Sequence, residues 1–121
     1  LNAEATSNVA RACQKVGAML VYPSTDYVFS GESKQAYRPA DPVSPLNAYG
    51  RSKAAGEEAA RQAQALIVRT SWLYGSGGKN FVETIARLGA EREELRIVND
   101  QVGLPTWTSS LSSVIVQLLK V

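Results

Sequence analysis

Two short polar segments carry the residue types best suited to proton chemistry. Ser24, Thr25 and Asp26 form the first, and the second contains Tyr49 and Lys53. The four-residue spacing puts the phenol and the ammonium one turn apart on the same face of a helix. A tyrosine with its ordinary pKa of about 10 is a poor proton donor and acceptor unless a nearby cation favours the phenolate. The two segments together therefore predict an acid–base site, although each alone is more typical of loop capping or of a surface tyrosine and lysine.

The composition narrows that chemistry further. The 121 residues include no histidine and a single cysteine, Cys13. Histidine-based triads, histidine metal ligands, intrachain disulfides and thiolate zinc sites are therefore excluded. A net charge of +2, without a dense basic block, does not favour nucleic-acid binding. The apolar runs are much shorter than the ~18 residues that span a bilayer, so we expect a single cytoplasmic domain with no membrane partner.

Helical and strand patterns alternate along the chain. Helices are predicted over residues 2–16, 49–64, 80–93 and 109–120, and short buried strands over residues 18–22, 66–70 and 95–98. Residues 30–47 contain three prolines and form a predicted long loop, and residues 75–79 form a glycine-rich loop. This order predicts an α/β fold with a parallel sheet.

Ligands of parallel sheets bind beyond the carboxyl ends of the strands, so the residues that follow each strand are the candidates for function. Thr25 and Asp26 follow the first predicted strand, and Trp72 follows the second. Only 24 residues separate Thr25 from Tyr49. Arg69, inside the second strand, is predicted to pair structurally with a carboxylate.

Five segments make the sequence recognisable. They are STDYVF at residues 24–29, SPLNAYGRSK at 44–53, RTSWLYG at 69–75, KNF at 79–81 and NDQVGLPT at 99–106. Together they resemble the extended short-chain dehydrogenase/reductase superfamily, which has a Ser or Thr at a strand end and a Tyr-x-x-x-Lys on the following helix. Within it the chain is most similar to the dTDP-4-dehydrorhamnose reductases. The resemblance covers nearly the whole chain in one register.

The resemblance implies a Rossmann-like, doubly wound sheet and a reduction that uses NADPH or NADH. The substrate would be a dTDP-linked 4-keto-6-deoxy sugar, and the product dTDP-rhamnose. Tyr49 would be the proton donor, and Lys53 would stabilise its phenolate and bind the nicotinamide ribose. Thr25 would orient the sugar carbonyl, while Asp26 and Trp72 would hold the sugar.

Two features of the family are missing from this sequence: the glycine-rich dinucleotide fingerprint and the C-terminal substrate region. We therefore expect residues 1–121 to be the second half of an NAD(P)-binding domain and an internal fragment of a longer protein. The fragment is expected to be inactive alone. A homodimer is a possible state of the full-length protein. Ser109 stands where some members have a metal-binding glutamate, so no metal is predicted. Two alternatives remain open: another nucleotide-sugar epimerase or dehydratase of this superfamily, and a non-catalytic regulatory relative.

Overall fold

The computed structural model describes residues 2–120, and within that range helices alternate with short parallel strands. In chain order the elements are α1 (Asn2–Val16), β1 (Val21–Thr25), a 3-10 helix (Asp26–Val28), α2 (Ala48–Gln62), β2 (Leu66–Thr70), β3 (Leu73–Tyr74), α3 (Phe81–Glu91), β4 (Thr106–Trp107) and α4 (Thr108–Leu118). The predicted α/β class is therefore confirmed. The chain divides into two compact units, Leu1–Thr70 and Ser71–Val121.

The first unit is built around the parallel pair β1 and β2, with Val21 opposite Leu66 and Thr25 opposite Thr70. Two strands that run the same way need a long crossover, and here α2 lies within it. Helix α1 packs against α2. The buried apolar side chains are Ala10, Tyr22, Val28, Phe29 and Ala60.

The second unit has a shorter parallel pair, in which Leu73 and Tyr74 of β3 lie opposite Thr106 and Trp107 of β4. The side chain of Asn80 begins α3 by accepting a hydrogen bond from the backbone N–H of Glu83 at 2.9 Å. Neither α3 nor α4 contains a fully buried residue. None of the helices described within residues 2–120 is long and apolar enough to cross a membrane.

Sequence patterns located some elements correctly and misplaced others. The first helix and the strand at 66–70 are confirmed with the predicted bounds, and the loop at 30–47 contains no helix or strand. The strand predicted at 18–22 instead runs from Val21 to Thr25, because backbone pairing continues past the apolar run into polar residues.

The strand predicted at residues 95–98 is wrong. Those residues are irregular, and the side chains of Ile97 and Val98 are largely exposed. A short apolar run becomes a strand only when a neighbour supplies backbone partners, and β3 pairs with β4 instead. Helix α4 begins one residue before the predicted start, at Thr108, and its N-cap residue Trp107 makes no side-chain hydrogen bond.

Candidate active site

Thr25 ends β1 and begins the 3-10 helix. Its buried hydroxyl accepts a hydrogen bond from the backbone N–H of Tyr27 at 3.2 Å and donates one to Asp26 Oδ1 at 3.0 Å. Local capping, the simpler of the two interpretations of this segment, therefore describes the observed contacts. The same contacts hold the hydroxyl at the carboxyl end of the strand, which is where a ligand-binding group is expected.

The start of α2 rests directly on this 3-10 helix. Asn47 Oδ1 caps α2 by accepting from the backbone N–H of Gly50 at 2.7 Å. A Cβ at residue 50 would lie 2.1 Å from the backbone oxygen of Tyr27, so only glycine allows so close an approach. The rings of Tyr27 and Tyr49 meet edge to face with centroids 6.0 Å apart. The half-exposed Tyr49 thus lies beside the turn that follows β1.

The side chain of Lys53 contacts β1. Its Nζ donates a hydrogen bond to the backbone oxygen of Pro23 at 2.6 Å and lies 4.2 Å from the centroid of the Tyr22 ring. The Tyr22 hydroxyl in turn donates to the backbone oxygen of Lys53 at 3.3 Å. Tyr49 and Lys53 do lie on one helix, one turn apart. Within residues 2–120, however, the ammonium has no hydrogen bond to the Tyr49 phenol.

Trp72 lies in the second unit and has an unusual backbone conformation. Its φ of 45° is in the left-handed region, which a non-glycine residue adopts only when its surroundings impose it. The indole lies close against Gly103, where a Cβ would be 2.8 Å from Trp72 Cε2. Together with Phe81, Ile97 and other residues it lines a largely apolar pocket of about 270 Å³.

Sequence reasoning missed a polar cluster centred on Glu57 of α2. The carboxylate is fully buried and accepts hydrogen bonds from Ser24 Oγ at 2.6 Å, from Arg69 Nε at 2.8 Å and from a terminal nitrogen of Arg69 at 2.7 Å. Arg61 adds a longer contact at 3.1 Å. The structural pairing predicted for Arg69 is therefore confirmed. The available signal for Glu57 was its position, four residues after Lys53 and eight after Tyr49 on the same helix face.

These contacts keep the carboxylate ionised. Burial by itself raises the pKa of Glu57, but the hydrogen bonds from Arg69 and Ser24 and the charges of Arg69 and Arg61 outweigh it, so the pKa lies below its ordinary value. The hydrogen bond to Glu57 likewise raises the pKa of Arg69 despite its partial burial.

Arg69 also orders the long loop. A terminal nitrogen of its guanidinium donates to the backbone oxygen of Pro39 at 3.1 Å, and the guanidinium carbon lies 4.8 Å from the centroid of the Phe29 ring. Phe29 stacks on Tyr37 at a centroid distance of 4.2 Å. Side-chain and backbone hydrogen bonds at Ser30 and Ser33 lower the pKa of Tyr37. Within residues 2–120, no group of three or more His, Cys, Asp or Glu side chains is arranged to hold a metal ion.

Comparisons with known proteins agree with this architecture. The spore coat polysaccharide biosynthesis protein SpsK of Bacillus subtilis (strain 168) is 48% identical over 106 residues, which cover 86% of this chain and 38% of that protein. A dTDP-4-dehydrorhamnose reductase of Burkholderia thailandensis is 46% identical over 114 residues, covering 93% of this chain and 38% of the relative.

A solved structure gives the same result at the level of the fold. The crystal structure of dTDP-4-dehydrorhamnose reductase from Bacillus anthracis str. Ames, in complex with NADP, is 49% identical and superposes with a TM-score of 0.94 over 100% of this chain and 44% of that chain. The fold is therefore Rossmann-like, as predicted. The chain spans about two fifths of the length of these relatives. The RmlD substrate binding domain profile matches residues 1–121, and this chain belongs to that family.

Proposed function

We propose that this chain is part of an NAD(P)H-dependent reductase that converts dTDP-4-dehydrorhamnose to dTDP-rhamnose in nucleotide-sugar biosynthesis. The names of the relatives and the NADP complex of the Bacillus anthracis enzyme support this assignment. One structural observation carries it: the first turns of α2 pack on the carboxyl end of β1. This packing brings three functional groups into one small region of the first unit: the Tyr49 phenol, the Lys53 ammonium and the Thr25 hydroxyl.

The Lys53 side chain suits a bound nicotinamide cofactor. An ammonium has three N–H donors, and in the part of the chain that the structure describes only one is used, by Pro23. The others are available for ribose hydroxyls, while the hydrogen bond to Pro23 holds the charge in place. Bound NADPH or NADH supplies the hydride to C4 of the sugar and is thereby oxidised to NADP⁺ or NAD⁺.

The protein's own side chains would then protonate and orient the oxygen of the reacting carbonyl. As the carbon gains hydride, negative charge develops on this oxygen, and a positioned acid must neutralise it. We assign that proton to the Tyr49 phenol, whose O–H bond breaks as the O–H bond of the sugar alcohol forms. Lys53 stabilises the resulting phenolate. The Thr25 hydroxyl turns its proton from Asp26 toward the carbonyl oxygen and so orients the substrate.

Asp26 and Trp72 are each proposed as sugar-binding residues. The strained backbone of Trp72 supports its assignment, because strain of this kind clusters at functional sites. We further propose that residues 1–121 form part of an NAD(P)-binding domain. The chain spans about two fifths of the length of its relatives, so the glycine-rich dinucleotide fingerprint is expected outside residues 1–121.

Replacement of Tyr49 tests the proposed function. The protein expressed from the complete reading frame that encodes residues 1–121, here called the full-frame protein, is assayed with dTDP-4-dehydrorhamnose by the loss of NADPH or NADH absorbance. Tyr49→Phe keeps the ring but removes the proton, so kcat is expected to fall by about 10²–10⁴-fold, the usual range for a general acid. Tyr27→Phe is the matched control, since it removes a neighbouring phenol and is expected to keep its activity.

The outcomes distinguish the competing functions. Near-normal turnover by Tyr49→Phe would contradict the assignment of α2 as the catalytic element. Isomerisation or dehydration of a nucleotide sugar without net consumption of NADPH would favour an epimerase or a dehydratase. Binding of cofactor or sugar without any turnover would favour the non-catalytic relative.

A further inference from the structure

The cluster of Glu57, Arg69 and Ser24 has no part in the proposed proton transfer. A buried carboxylate is costly to desolvate, and a buried ion pair adds little net stability compared with well-packed apolar residues of the same size. Glu57 nevertheless has no exposed surface, and three hydrogen bonds from Ser24 and Arg69 converge on it. Such a network is well suited to fixing one geometry, because a shifted carboxylate would leave charged groups unpaired.

The geometry that this network fixes includes the end of β1. Successive turns of α2 form hydrogen bonds with successive residues of that strand. Lys53 donates to the backbone oxygen of Pro23, and Glu57 accepts from the hydroxyl of Ser24. Ser24 is joined directly to Thr25. Its backbone oxygen also accepts a hydrogen bond from Thr70 Oγ1 at 3.4 Å, which ties the same residue to β2.

Arg69 contacts Glu57 from the neighbouring strand. It belongs to β2, where it lies opposite Ser24 in the parallel pairing. The carboxylate therefore joins α2 to two neighbouring positions of the sheet at once. Rotation or sliding of α2 over the sheet would break contacts to Ser24 and Arg69 together, and would move Tyr49 relative to Thr25.

We propose that Glu57 and Arg69 are positioning residues that hold Ser24 and thereby set the distance between the Thr25 hydroxyl and the Tyr49 phenol. This inference rests on the proposed function, because it concerns the geometry of that reaction. Glu57 acts through Ser24, and neither Glu57 nor Arg69 is required to touch the sugar or the cofactor.

The test measures kcat, the KM for the sugar and NADPH affinity for three variants of the full-frame protein. Ser24→Ala removes the link to the strand but leaves Glu57 paired with Arg69. Glu57→Gln keeps an oxygen for Ser24 but removes the charge that anchors Arg69. Glu58→Gln is the matched control, because this exposed neighbour pairs with Arg61 at 3.6 Å and makes no other ion pair within residues 2–120. All are assayed below their unfolding temperatures, with the folded state checked by circular dichroism.

We expect kcat of Ser24→Ala and Glu57→Gln to fall by about tenfold to a hundredfold, the range for a misplacement of up to ~1 Å. KM and NADPH affinity are expected to stay within about threefold, because a positioning defect acts on the transition state. Glu58→Gln should match the parent. Folded Ser24→Ala and Glu57→Gln proteins that lose stability but keep the parental kcat would overturn the inference. If Glu57→Gln fails to fold, Ser24→Ala decides between these outcomes. A parent protein with no reductase activity would overturn the proposed function, and this inference with it.

Discussion

The two compact units differ in how much of their side-chain surface they bury. The buried apolar residues and the buried polar residues Ser24, Thr25 and Glu57 all belong to residues 1–70. In residues 71–120, helices α3 and α4 contain no fully buried residue, and large apolar side chains such as Phe81, Val102 and Leu104 are exposed. Each unit contains parallel strands and helices, so secondary structure alone does not produce a core.

This difference indicates that the first unit has the more closely packed interior. In the first unit α2 packs on the strand pair and α1 packs on α2, and the buried polar side chains of the described residues all have hydrogen-bond partners. Helices α3 and α4 of the second unit leave several large apolar side chains half exposed, among them Phe81, Val114 and Leu118. Destabilising substitutions should therefore be severe in the first unit and mild in the second.

The largest effect is expected for Glu57→Gln. Loss of one partner from a buried charged pair leaves Arg69 uncompensated, so the free energy of unfolding should fall by about 3–5 kcal/mol. The exposed control Glu58→Gln should change it by less than about 1 kcal/mol. Hydrogen exchange of the full-frame protein resolves the effect by element: amides of α1 and α2 should lose protection, and those of α3 and α4 should not. Equal loss in both sets would contradict the comparison.

Two glycine substitutions are expected to act in opposite directions. Gly50→Ala places a Cβ against the backbone oxygen of Tyr27, so α2 must shift and stability should fall by about 1–3 kcal/mol. At Gly89 in α3 an added Cβ meets nothing within 4 Å, and alanine should increase stability by about 0.5–1 kcal/mol through helix propensity. Chemical denaturation measures both changes. A stabilising Gly50→Ala would show that the first unit is packed less tightly than the contacts indicate.

The smallest expected effect is a dependence of stability on acidity. The folded-state pKa of Glu57 lies below its ordinary value of 4.5. Its ionised form therefore contributes full stabilisation above about pH 4.5, and this contribution is lost as the pH falls through the folded-state pKa. Denaturation midpoints measured downward from neutral pH should fall more steeply for the parent than for Glu57→Gln. Parallel curves would show that the carboxylate is not held ionised by Arg69, Arg61 and Ser24.

Much of the fold could be predicted from local pattern. Helix α1 has apolar residues at helical spacing and ends before Gly17, and the strand at 66–70 is a short apolar run after a helix. Residues 95–98 had a similar run but no available partner, which local pattern does not reveal. The placement of Tyr49 and Lys53 one turn apart on a helix could be predicted because it depends only on helix geometry. Glu57 was missed because its importance comes from a contact with Ser24, 33 residues away.

The hydrogen bond from Arg69 to Pro39 has a consequence for chain entropy. Residues 30–47 form a loop without regular structure, and the freedom lost on closing such a loop grows only as the logarithm of its length. The hydrogen bond at Pro39, near the middle of the loop, divides it into two shorter spans. The hydrogen bond from the Ser44 N–H to the backbone oxygen of Val28 shortens the second span again. Each span then has few conformations left. The loop therefore acquires part of its order from the contact with β2, in addition to the hydrogen bonds that Tyr37 makes with Ser30 and Ser33.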